Sequence, residues 1–377
     1  MQVKIFCAAV LAVIFFASIV HAEGEQKKSV WQPEIRIGVL NGVTRFYFQM
    51  SEPCVMINPE NNEVIQKINA DEKITIEVEN LEVDAVEIRG EKVQLKDLQT
   101  TINGKKYYGG LRVNKREKFL TVINLAPVEE YLRGVVPKEM SASFPVEALK
   151  AQAVAARSFT LKNRNRHKAD GYDLCSTTHC QFYAGAISFP SSDQAVLETR
   201  GEILIYGGAV VDANFHADSG GMTENVVDVW AKKVPYLLPA EELEKETQPW
   251  TVKISLQDFC GIIGEKIGAL KKINSTKMVI GQSAEDRTQS GRVKFIEIVG
   301  EKNTLTISGK DLRTKFSLPS TLFNIRFENE EIIFEGFGRG HGVGMSQRGA
   351  QAFAKSGMKY DKILEHYYSG TALKKLY

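Results

Sequence analysis

Between Trp31 and about Asn114, apolar and polar residues alternate over short runs, the period of half-buried strands. In "EIRIGVLNGVTRFYF", Ile35, Ile37 and Val39 lead to Asn41-Gly42 before the pattern resumes at Phe46 and Phe48, which predicts a hairpin. "KITIEVEN" sets Ile74, Ile76 and Val78 against Thr75, Glu77 and Glu79, and Asn103-Gly104 marks a further turn. The spacing predicts a β-rich module over residues 23–115 and supplies no catalytic constellation within it.

After "EKFLTVINLAP" the period lengthens. "VEEYLRGVV" predicts a short helix that Pro137 interrupts or ends. Ser143-Phe144-Pro145 then reads as a helix start, with a hydroxyl cap, a first-turn proline and Glu147 at the positive end of the dipole. The following helix places Leu149, Ala153, Ala156 and Phe159 on one face and ends in "KNRNRHK". Glu139 therefore falls in the break before that helix, where a carboxylate can point into a groove. Residues 201–235 read as strands with glycine punctuation, and "SLQDFCGIIGEKIGALKKI" as a helix among further strands. "GFGRGHGVGMSQRGAQAFAKSGMKYDKILEHYYSG" is a glycine-rich loop leading into two helices, capped at Ser346 and Asp361 and stopped at Gly357 and Gly370. The pattern as a whole predicts a mixed α+β protein.

Composition narrows the function classes. A chain of 377 residues is 43% hydrophobic and 25% charged, with a formal net charge of +2, so nothing in its balance points to nucleic acid. Residues 1–22 carry Lys4, an apolar run from Ile5 to Val20 and a small-residue site ending at Ala22, which predicts a signal peptide and an exported, extracytoplasmic protein. The alternative is an uncleaved anchor, which would associate the chain with a membrane; the run is short against the roughly 20 residues of a spanning helix.

Four cysteines lie beyond that segment: Cys54, Cys175, Cys180 and Cys260. Cys54 and Cys260 are expected as buried thiols. Cys175 and Cys180, with His167 upstream, are the soft and borderline ligands zinc takes. A disulfide closing a short loop, or two free thiols, are the other readings of the pair. HExxH, GxSxG and the P-loop are absent, and the alternate glycines of "GFGRGHGVG" do not make a dinucleotide fingerprint.

"VVPKEMSASFPVEALKAQAVAARSFTL", "CSTTHCQFYAG", "HADSGGMTENV" and "GRGHGVGMSQRGAQAFAKSGMKYDKILEHYYSGT" occur in the order and spacing of the SpoIID/LytB family, the stage II sporulation protein D group, which the chain resembles from about Phe119 to Tyr377. The resemblance implies a SpoIID-type α/β catalytic domain, here residues 116–377, with a glycan-binding groove. It implies a peptidoglycan lytic transglycosylase that cleaves MurNAc–GlcNAc bonds to 1,6-anhydro ends on glycan stripped of stem peptides, in a sporulation setting, with a cell-wall amidase as partner. Some relatives are amidase enhancers, so a glycan-binding activator without catalysis is the rival reading.

Glu139 aligns with the family's catalytic glutamate. A carboxyl that stays neutral near pH 7 can protonate the departing oxygen, and burial provides that neutrality. A hydrolase needs a second carboxylate, whereas a lytic transglycosylase uses the sugar's own 6-hydroxyl. Arg157 corresponds to an arginine near that glutamate in the family. Some members bind zinc at the segment holding Cys175, Cys180 and His167, while His179, Gln181 and Tyr183 are expected to line the glycan groove. His216, Ser219, His341, Ser346 and Gln347 are further groove candidates, set against the plain reading of hydrogen-bonded core residues and tight glycine turns. His366, beside Tyr367 and Tyr368, reads as packing.

Overall fold

The alternation of Ile35 and Ile37 buries both side chains completely on one strand, Glu34–Val43, which organises the largest sheet. The computed structural model describes residues 32–245, 247–264 and 267–377; the N-terminal apolar segment, and with it the expected signal peptide, lies outside them. Seven strands run in the spatial order Leu174–Cys175, Glu34–Val43, Phe119–Pro127, Gly110–Arg116, Ala85–Gly90, Cys54–Ile57 and Val64–Ile68. Their pairings are antiparallel except for Leu174–Cys175, which joins Glu34–Val43 in parallel, with Gly38 opposite Cys175. A second sheet comprises Ile74–Glu77, Arg45–Met50, Gln99–Ile102 and Lys105–Tyr108.

The hairpin expected at Asn41-Gly42 does not form. Glu34–Val43 and Arg45–Met50 belong to different sheets, and the first strand, with register shifts after Gly38 and Leu40, pairs with Phe119–Pro127 as far as Val43. The turn at Asn103-Gly104 does form, with both residues at positive φ between the paired strands 99–102 and 105–108.

Eight helices are described: α1 (Val128–Glu139), α2 (Val146–Lys162), α3 (Pro190–Glu198), α4 (Val226–Trp230), α5 (Leu256–Ile263), α6 (Gly309–Lys315), α7 (Gln347–Lys355) and α8 (Tyr360–Tyr367). Pro137 does not end α1. It sits in the last turn, and the helix runs on to Glu139, where the Met140 N–H bonds to the Val136 carbonyl. Helix α2 starts without the expected serine cap: Pro145 holds the cap position and Ser143 Oγ meets Ser141 Oγ instead. From Ala151 to Thr160 every α2 residue is buried, so its alanines let neighbouring helices and strands close around it on all sides, not on one face. Helix α5 ends at Ile263, before Gly264 at φ +108°, and Leu270–Asn274 is a strand where a longer helix was expected.

One apolar core runs from Ile35 through the α1 and α2 residues to Tyr368. Residue 115 is therefore no seam, since Phe119–Pro127 pairs with strands on the N-terminal side. A second core, built on Phe259, Ile296, Ile298, Leu312, Phe323 and Phe334, lies within 259–334 between two three-stranded sheets and helices α5 and α6. The chain passes to it after Phe215–His216 and returns through Met345–Ser346, two short strands that pair in parallel. Among the described residues no helix is long and apolar enough to cross a membrane.

Candidate functional site

Glu139 ends α1 and packs against the loop that follows Cys180. Its Oε1 accepts a 2.7 Å hydrogen bond from the Phe182 N–H, and the Gln347 side chain bonds to it as well. Gln347 is in turn 3.4 Å from Gln152 Oε1 on α2. Burial raises the Glu139 pKa above the ordinary carboxylate range, and the bonds from Phe182 and Gln347 only partly oppose it. The arrangement can keep a proton on the carboxyl and still hold the anion once the proton has gone.

Two buried neighbours aim Phe182. Gln181 and Tyr183 are each 1% exposed, whereas Phe182 is 42% exposed. Gln181 Oε1 accepts from the Tyr131 hydroxyl (3.1 Å) and the Thr160 hydroxyl (2.9 Å), and its Nε2 donates to the Ala156 carbonyl (3.2 Å). The Tyr183 hydroxyl donates to Asn124 Oδ1 at 2.9 Å, and its ring lies 4.9 Å from that of Tyr131. Gln181 and Tyr183 thus do not line a groove; with every polar atom engaged inside the core, they are anchors. Phe182, which the sequence reading passed over, is the exposed member, and the in-out-in pattern of Gln-Phe-Tyr was its signal.

The same loop carries a compact ligand set. His167, Cys175, His179 and Cys180 offer donor atoms that all lie within 4.8 Å of one another. His167 Nε2 is 3.3 Å from His179 Nδ1 and 3.4 Å from Cys180 Sγ, while His179 Nδ1 is 3.7 Å from each cysteine sulfur. Zinc with ordinary bonds to sulfur and imidazole separates tetrahedral ligands by roughly 3.3 to 3.8 Å, so the donor set fits that ion. His167 Nδ1 meets Asp170 Oδ2 at 3.0 Å, the outer-shell carboxylate that fixes a ligating imidazole. Both thiols are free, which does not favour the disulfide reading. Burial, with Arg166 and His167 nearby, lowers the His179 pKa and favours the neutral ring that ligates. His179 therefore sits with the cysteines and is the fourth potential donor, which sequence spacing left unassigned.

Arg157 is not beside Glu139. Its side chain is fully buried at the other end of α1, where Nε and Nη2 bond to the Glu129 carboxylate at 2.9 and 2.7 Å and Nη1 donates to the Glu202 carbonyl. Ser219 and Ser346 are also fully buried. Ser346 Oγ caps α7 by accepting from the Gly349 N–H (3.1 Å), and Ser219 Oγ donates to Glu242 (2.9 Å). Burial pushes the Glu242 pKa up to about 7, against hydrogen bonds from Tyr367, Ser219 and Ser346. Burial holds His216 well below its usual pKa and His341 at about 4, helped in each case by cations nearby, so both rings are neutral. His341 lines a separate cavity with Trp230. His366 packs on Phe353, as expected. Of the residues expected in a groove, Gln347 alone is brought to Glu139.

A partly buried carboxyl at a helix end, backed by a loop with a Cys2His2 donor set, defines a single-acid site on a mixed α/β scaffold. Residues 116–206 match the SpoIID family, described as stage II sporulation protein, and residues 224–344 match a domain of unknown function (DUF8618). The stage II sporulation protein D of Bacillus subtilis is 30% identical over 266 residues, which cover 66% of this chain and 74% of that one. An uncharacterized protein of Brachyspira hyodysenteriae is 37% identical over 281 residues, 72% of this chain and 73% of its own length. The Bacillus subtilis amidase enhancer is 31% identical over 287 residues, which span 64% of this chain but 40% of the enhancer. The chain belongs to the SpoIID family.

Proposed function

We propose that the protein is a peptidoglycan lytic transglycosylase acting in the extracytoplasmic cell wall. The observation that carries this reading is Glu139: largely removed from water, raised in pKa, and bonded by Phe182 N–H and Gln347. Among the described residues no second carboxylate is among the groups that act on it. Protonated Glu139 gives its proton to the glycosidic oxygen as the bond from MurNAc C1 breaks. The resulting carboxylate takes the proton of the sugar's 6-hydroxyl while that oxygen bonds to C1, giving a 1,6-anhydro end and restoring the acid. No water is consumed, so no second carboxylate is required. The exposed Phe182 ring beside the acid offers a face on which a sugar can stack.

We infer that His167, Cys175, His179 and Cys180 hold zinc. Zinc there would supply a closed structural crosslink, with Lewis-acid chemistry unneeded. These residues would fix the loop that aims Phe182 N–H at Glu139.

The second reading is the amidase enhancer, favoured by the relative that bears that name. Mass spectrometry of glycan from amidase-treated peptidoglycan separates the two. Wild type should release anhydro-MurNAc ends and Glu139→Gln should lower their release at least about a hundredfold. If neither protein releases them while both accelerate an amidase, the enhancer reading stands and the lyase reading falls.

A further inference from the structure

Gln152 is the one amide side chain on the buried stretch of α2, and it is 0% exposed. Its Oε1 accepts from Gln347 Nε2 at 3.4 Å, across 195 positions of sequence. Its own Nε2 is buried with no hydrogen-bond partner among the described residues. A buried donor left unmade is costly, and an apolar side chain of similar shape would avoid that cost. Packing alone therefore does not account for a glutamine here. What an apolar residue could not supply is the acceptor.

Gln347 is 7% exposed and opens α7 behind the Ser346 cap. Its bond to Glu139 favours the carboxylate, so the side of the amide that meets the acid is the NH2 and not the carbonyl. One N–H of that group thus goes to Glu139 and the other to Gln152 Oε1. Turned by half a turn about its last bond, the amide keeps its shape but presents Oε1 in place of the NH2. Gln347 would then accept the proton of a neutral Glu139, and its Oε1 would face Gln152 Oε1 with no hydrogen between the two acceptors. Avoiding that contact requires Gln152 to turn as well, so neither amide turns alone.

We propose that Gln152 is a positioning residue for the acid: its Oε1 keeps the Gln347 NH2 turned toward Glu139, so that the proton of Glu139 goes to the glycosidic oxygen and not to Gln347 Oε1. This rests on the reading of Glu139 as the general acid. Gln152 is not among the groups that bond Glu139, so it acts through Gln347. Among the described residues no charged side chain of α1, α2, α7 or the Cys175–Ala184 loop acts on that carboxyl. The Tyr131 hydroxyl on α1 feels the Glu139 charge, and burial keeps it neutral, well above its usual range.

Carbon-13 NMR of the Glu139 carboxyl in the full chain, assigned by the signal missing from Glu139→Gln and followed across pH, tests this without catalysis. Gln152→Met keeps the side-chain length and removes the acceptor. Its Glu139 midpoint should lie above that of wild type, because a Gln347 amide free to turn no longer favours the anion. Added to Gln347→Ala, the same substitution should move the midpoint no further. Gln152→Leu, which removes the acceptor with a different shape, should repeat both results. In the release of anhydro ends, Gln152→Met should lower kcat about tenfold with KM unchanged. A midpoint that stays or falls in the single variants, an equal rise in the Gln347→Ala background, or a raised KM with kcat untouched would overturn the proposal. If wild type releases no anhydro ends while the midpoints behave as expected, Gln152 still sets the Gln347 amide and only the lyase reading falls.

Discussion

Glu139 owes its chemistry to two hydrogen bonds whose effects oppose burial, and Gln347 is the one that can be removed without touching the backbone. In Gln347→Ala the anion loses a bond that favours it, so the carboxyl pKa rises further. A general acid must be protonated, so the rate falls as pH climbs through that pKa; raising the pKa moves this falling limb to higher pH. The expected displacement is upward, because the bond that is lost favours the anion. Rates of anhydro-end release between pH 4 and 9 measure it, and an unmoved limb would show that Gln347 does not act on the ionisation of Glu139. At this scale the motifs singled out Glu139 and, as a groove candidate, Gln347, and the fold brings the two together. It was not legible at Gln181, Tyr183, Arg157 and Ser219, because a polar side chain looks the same in sequence whether it meets a ligand or a buried partner.

The loop from Cys175 to Ala184 is held at several points. The Cys180 N–H bonds to the Thr177 carbonyl, the Tyr183 N–H to the Ser176 carbonyl, and the Ala184 N–H to the Gly134 carbonyl on α1. If zinc adds the closing link, Cys180→Ser should purify with markedly less than the one zinc per chain expected of wild type, measured by elemental analysis. It should lose roughly 10- to 100-fold in activity, while far-UV circular dichroism stays near wild type. Full activity in a metal-free Cys180→Ser would remove the metal from the account. Elements were legible where local chemistry decides them, as in the turn at Asn103-Gly104 and the Ser346 cap of α7. The strand from Glu34 shows the opposite case. Asn41-Gly42 has the residues of a hairpin turn, but the better partner for Ile37 was Asn124, more than eighty positions away, and no local signal announces that.

At the scale of the molecule, Arg157 and Glu129 form a hub. Glu129 accepts from Arg157, from the Gly201 N–H and from the hydroxyl of the final residue, Tyr377, while Arg157 also donates to carbonyls of Val196 and Glu202. Helices α1, α2 and α3, the strand Glu202–Tyr206 and the C-terminus therefore meet at one ion pair. Arg157→Met leaves Glu129 buried without its countercharge and should cost about 3–5 kcal/mol of stability. Thermal and denaturant unfolding measure this, with Glu139→Gln as a comparison expected to melt near wild type. A drop under about 1 kcal/mol would mean the hub is dispensable. The predicted break at residue 115 failed for a related reason: alternation reveals that strands exist, not which sheet they join, and the shared sheet places both sides in one core.

The parallel pair Phe215–His216 and Met345–Ser346 brings the two ends of residues 217–344 to neighbouring strands. Seen from the remainder of the fold, that long stretch is a closed loop, and the entropy of closing a loop rises only with the logarithm of its length. Within that stretch the second core, residues 259–334, can lengthen or shorten at this small cost, much as one changes the head on a tool, whereas Val226, Leu237 and Val343 stay packed in the handle.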